Sequence, residues 1–73
     1  MHEHELDEYL ARVAHDIRSP ITSIGGFAEL LEQSLADGDE RLTYVRAIQR
    51  AAQRLRSLAD RISGDVERSE GQS

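Results

Sequence analysis

The sequence contains no cysteine, so no disulfide braces its fold, and that absence is compatible with a cytoplasmic location. Tryptophan is missing and aromatic residues make up only 4% of the chain, which leaves few of the bulky side chains that stabilise small monomers. No uninterrupted apolar run approaches the roughly 20 residues that cross a bilayer, and no signal-peptide pattern appears. The segment is therefore expected to be cytoplasmic and without membrane contact, which is compatible with a parent protein anchored in the inner membrane. Lysine is absent too. All nine basic residues are arginine, against 14 acidic ones, for a net charge of −5. That balance argues against nonspecific nucleic-acid binding, because a phosphate backbone rewards a basic surface.

What the sequence does have is helical periodicity. Leu10, Ile17, Ile24 and Leu31 recur seven apart. Val13, Pro20 and Phe27 form a second row three positions on, and Ala14, Ile21, Ala28 and Leu35 a third. Three adjacent rows make a broad apolar stripe of the kind buried in helix bundles. With the first row called a, His15 falls at f, remote from the a/d seam, and is expected to face solvent. Arg18, Ser19 and Thr22 share its face. Gly26, four on from Thr22, extends that face as a place where a partner backbone can approach closely. Pro20, the chain's one proline, has no N–H for the carbonyl of Asp16 and should kink or loosen the helix beside His15.

Taken in order, the chain predicts helix 1 over about 5–36, a turn at 37–39, helix 2 over about 40–68 and a tail at 69–73. Gly38 suits the C′ position after helix 1, and Asp37 or Asp39 suits the cap of helix 2. So short a connection makes the two helices antiparallel neighbours. Helix 2 carries Val45, Ile48, Ala52, Leu55, Ala59, Ile62 and Val66 at alternating spacings of three and four, an unbroken seam widened by Leu42, Ala51 and Leu58. Arg46, Arg50, Arg54 and Arg61 occupy its other faces as a solvated surface. His2 and His4 point to different helix faces and lack a third ligand, so no metal site is expected. At 73 residues the chain is one small domain, and a hairpin alone would leave part of each stripe wet. The expected architecture is all-α: an antiparallel two-helix hairpin that homodimerises into a four-helix bundle.

The stretch HDIRSPITSIGGFAELL, from His15 to Leu31, strongly resembles the phosphoacceptor box of sensor histidine kinases, whose usual form is close to His-Glu-Leu-Arg-Thr-Pro-Leu before an apolar helix. His15, Arg18 and Pro20 match it directly. Asp16 replaces Glu, Ile17 and Ile21 replace Leu, and Ser19 stands where Thr or Asn is commoner. The resemblance covers nearly the whole chain and identifies it as a dimerisation and histidine-phosphotransfer domain. Near the C-terminus, Asp60-Arg61-Ile62-Ser63-Gly64-Asp65 departs from the family's Asp-Leu-Leu-Asp-Leu-Ser-Arg-like continuation.

The resemblance implies that His15 takes phosphate from ATP and passes it to an aspartate of a response-regulator receiver domain. An imidazole attacks phosphorus when neutral, as most are at cytoplasmic pH. The neighbouring Asp16 is then the acceptor for the proton on the other ring nitrogen, and Ser19 is the candidate for orienting water in dephosphorylation of the receiver, unless its hydroxyl simply caps the backbone at the proline. Arg18, Thr22 and Gly26 are candidates for receiver docking. The chain contains no glycine-rich phosphate loop, so ATP and Mg²⁺ are expected on an ATP-binding domain of the same kinase and on the receiver, with no cofactor here and no autophosphorylation by this chain alone. Two other functions fit the same residues: a stand-alone phosphotransferase charged by a receiver, and a helical dimerisation linker with a silent histidine.

Overall fold

The computed structural model describes residues 3–71, and side chains over 5–68; His2 lies outside the described residues. Two helices account for it: α1, Glu3–Ser34, and α2, Arg41–Gly71. They pack antiparallel along their length as the periodicity predicts, with no strand among the described residues.

The hairpin's core is made of one row from each helix. On α1 it is Ala14, Ile21 and Ala28; on α2 it is Val45, Ala52, Ala59 and Val66, with Leu42 near the turn. Both rows repeat every seven residues, which keeps one face toward the partner helix along the whole rod. Alanine on both sides permits close approach of the backbones. It also makes the core thin, for Val45 is the largest side chain that is fully buried.

The sequence-derived boundaries shift at both ends of the turn. Helix 1 stops at Ser34, where the Ser34 hydroxyl donates to the carbonyl of Leu31 (2.8 Å), and the Leu35 N–H falls back to the carbonyl of Glu32 (3.3 Å). The connection accordingly runs over 35–40 and not 37–39. Gly38 does not sit at C′ directly after the helix. It occupies the third position of a turn closed by the Asp39 N–H and the Ala36 carbonyl (3.1 Å), and its φ of +84° is one that glycine adopts without strain. α2 continues through Gly64 to Gly71, beyond the expected end near 68, with Val66 buried against α1 to hold its last turns.

Asp39 is the residue that caps α2. Its Oδ1 accepts the backbone N–H of Arg41 (2.9 Å), and the Arg41 guanidinium grips the same carboxylate through Nε to Oδ1 (3.0 Å) and Nη2 to Oδ2 (2.7 Å). The Arg41 side-chain bond, then its backbone bond, hold the Asp39 carboxyl at about 2 against an ordinary value of 3.8. A depressed acid stabilises the fold while ionised. The cap's contribution is thus fully present above pH 3.8 and is lost as pH falls through about 2. A carboxyl NMR titration should give Asp39 a midpoint near 2, rising toward 3.8 in Arg41→Ala; an ordinary midpoint in the parent would count against the cap.

The molecule is a rod of 53 × 17 × 16 Å with a radius of gyration of 16.6 Å. A compact chain of this length would have a radius of about 11 Å. Its large apolar side chains are mostly outside the core: Phe27 is 72% exposed and Leu30 61%, with Leu6, Tyr9, Ile24, Leu31, Tyr44, Ile48, Leu55 and Leu58 also exposed. The a and d rows of α1 and the 48/55 row of α2 lie on one flank of the hairpin. A seam that the periodicity presents as continuous is therefore split: half closes the hairpin, and half is left on its surface.

Candidate phosphoacceptor site

The opposite flank is polar, and side-chain ties between the two helices cross it. Arg18 on α1 reaches α2 through Nη1 to Asp60 Oδ1 (2.7 Å) and Nη2 to Ser63 Oγ (3.0 Å). One turn along, Arg56 Nη2 donates to Thr22 Oγ1 (2.7 Å). Nearer the turn, Arg46 Nε stands 3.8 Å from Glu32 Oε2. Each joins groups at least partly open to water, so each stabilises by about 0–1 kcal/mol at most. Together they show which flank of the hairpin is already closed by its own residues.

His15 lies beside this flank on the outer surface of α1. It is exposed, one helical step from the fully buried Ala14 and about a turn before Pro20. Ala14 anchors the helix to α2, and the helical rotation of 100° per residue then turns His15 outward. α1 remains a single helix through Pro20, although that residue offers no N–H to the carbonyl of Asp16. The ring is therefore accessible, on a helix segment with one backbone hydrogen bond fewer than its neighbours.

The other candidates are spread around this surface. Asp16 is exposed but diverges from His15, as consecutive helix residues do, and among the described residues neither has a hydrogen-bond or ion-pair partner. Ser19 is exposed one turn on; among the described residues its hydroxyl has no partner, so it does not cap the backbone at Pro20. Arg18 and Thr22 are both committed to α2. Gly26 is open, with nothing within 4 Å of where a Cβ would stand, and the same holds for Gly25. The two glycines edge an open groove of about 550 Å³ that is also lined by Thr22, Glu29, Gln53 and Arg56.

Sequence reasoning did not find Asp60, Ser63 and Arg56. They lie 34–45 residues from the groups they bind, and no local pattern marks them. Asp60 and Ser63 fall where the chain departs from the usual pattern, which was the one available signal. Arg50, Arg54 and Arg61 are exposed on the outer face of α2 without partners among the described residues, as a solvated surface should be. No described group of three or more His, Cys, Asp or Glu residues is placed to hold a metal ion, and no helix is long and apolar enough to cross a membrane.

The helical hairpin thus turns the histidine of its HDIRSP stretch to solvent. The chain belongs to the family of His Kinase A (phospho-acceptor) domains, whose model matches residues 5–69. It is similar to the sensory histidine kinase/phosphatase NtrB of Escherichia coli O157:H7, at 40% identity over 52 residues, and equally to that of Shigella flexneri. The match covers 71% of this chain and 15% of each relative. No solved structure matches the chain.

Proposed function

We propose that this domain is the phosphoacceptor and dimerisation unit of a sensor histidine kinase. His15 takes the γ-phosphoryl group of ATP held by the kinase's separate ATP-binding domain and yields it to an aspartate of a response-regulator receiver. The observation that carries this function is the exposed ring of His15, within an HDIRSP stretch, on a chain of the His Kinase A family. A ring nitrogen attacks the γ-phosphorus, an N–P bond forms, and the bond to the bridging oxygen breaks to release ADP. In the second step a receiver carboxylate oxygen attacks the same phosphorus and the N–P bond breaks, with Mg²⁺ on the receiver balancing charge. The receiver lies along the outer face of α1 over Ser19 and Gly26, beside Arg18 and Thr22.

Asp16 is the proton acceptor for the ring nitrogen that does not attack. No hydrogen bond joins its carboxylate to the ring in the resting hairpin, so it acts after a change of rotamer, a motion open to an exposed side chain. Asp16→Asn should slow labelling by about 10²-fold or more while leaving the helical fold intact. To check this, mix the domain with a separately expressed ATP-binding domain of its kinase and follow radiolabel from ATP; unchanged labelling rates would remove Asp16 from the chemistry. The parent's label should be acid-labile and alkali-stable, as an N–P bond is, and should chase onto a receiver. Label that is acid-stable would overturn the assignment to a histidine.

The same kinase reading includes a homodimer, supported by the exposed flank of Ile24, Phe27, Leu31, Ile48 and Leu55. A second hairpin laid against that flank covers the half of each helix's stripe that the first leaves wet. His15 stays outside the resulting bundle.

A further inference from the structure

We propose that Asp60 and Ser63 are positioning residues for the chemistry of His15, acting through Arg18; this rests on the phosphoacceptor function proposed above. The Arg18 tie across the polar flank lies on the His15 side of Pro20. Those at Thr22 and Glu32 lie beyond Pro20 toward the turn. Position 20 contributes no N–H to the helix, so the turn that carries His15 and Arg18 lacks one backbone hydrogen bond. A tether from outside the helix supplies what the backbone does not.

The geometry of that tether is specific. Nη1 of Arg18 meets Asp60 Oδ1 at 2.7 Å and Nη2 meets Ser63 Oγ at 3.0 Å, so two acceptors three residues apart on α2 fix the plane of the guanidinium as well as its position. Arg18 is three residues from His15, a neighbour on the helix surface. Holding the guanidinium on α2 sets the rotation of the turn that carries His15. The side chains of Arg18 and Asp60 are 41% and 56% exposed, so the pair adds little to stability. Orientation is the property that a weak but doubly held contact can supply, and transfer to phosphorus in line with the leaving oxygen is sensitive to it.

Two measurements test this on the whole chain, with Asp60→Asn, Ser63→Ala and the double variant. The first is the rate of label uptake from a saturating ATP-binding domain. The second is the NMR signals of the His15 ring, which need no phosphate. In the double variant, uptake should fall about ten-fold, the ring signals should shift, and the thermal midpoint should stay close to that of the parent. Asp60→Glu, which retains the carboxylate, should recover most of the rate. Ser63→Ala keeps the test valid if Asp60→Asn disturbs the helix. Parent-like uptake in all three variants, or ring signals unmoved in the double variant, would overturn the positioning role. A parent that takes no label would overturn the phosphoacceptor function instead, and the ring signals would then decide the tether by themselves.

Discussion

Replacing His15 with glutamine should abolish phosphoryl labelling completely and leave the helical fold unchanged. Glutamine keeps the length and polarity of the side chain but has no ring nitrogen with a lone pair able to attack phosphorus. The side chain at this position touches nothing that holds the hairpin together: it is exposed, and the adjacent anchor is Ala14. Circular dichroism and thermal melting of the variant should therefore superimpose on those of the parent. The loss is expected to be all-or-none, since no second imidazole shares the described surface of α1 around this site. Ser19 and Thr22 are the hydroxyls nearest in register, and a phosphate ester on either would survive acid. Label that persists in His15→Gln would move the phosphoacceptor to one of them. A parent His15 that never takes phosphate, from any ATP-binding domain or receiver, would leave only the dimerisation-linker function.

The second large effect concerns the exposed apolar flank. Ile24→Asp or Leu55→Asp should dissociate the dimer or unfold the chain. Each side chain is nearly half exposed in the single hairpin, so a carboxylate there is tolerable in a monomer. Against a second copy it would be buried without a partner, which costs about 3–5 kcal/mol per site. A symmetric dimer meets that cost twice, enough to exceed the stability of a marginal small domain. Sedimentation should show the parent as a dimer at micromolar concentration and each variant as monomer or unfolded chain. A parent that sediments as a folded, helical monomer would overturn the dimer. The thin core makes that outcome physically demanding: rows dominated by alanine and valine bury little area, whereas most large apolar side chains remain in water.

The acidic cap at Asp39 and the tether at Asp60 show how differently local and distant interactions can be read from sequence. Asp39 precedes the residue it binds by two positions, and its role follows from the turn chemistry of Asp-Gly-Asp before a helical pattern. The tether joins residues 42 and 45 positions apart, and nothing in the spacing of one helix indicates which residue of the other stands opposite. Arg18 illustrates the consequence. Its place on the helix surface makes it a candidate for receiver docking, and the folded hairpin shows its guanidinium already engaged by α2.

The sequence by itself determined the two helices, the turn between them, the outward placement of His15 and the family, because all of these follow from heptad spacing, turn residues and a contiguous motif. Only the tertiary structure decided how the broad apolar stripe is divided. The row of Ala14, Ile21 and Ala28 closes the hairpin, and that of Ile24 and Leu31 stays on the surface. Heptad periodicity ranks residues by face within one helix, but adjacent rows lie only tens of degrees apart, and which one meets a neighbour depends on where that neighbour sits. The same rotation sets Arg18 opposite Asp60 and Ser63, a pairing that exists only once two distant segments lie side by side.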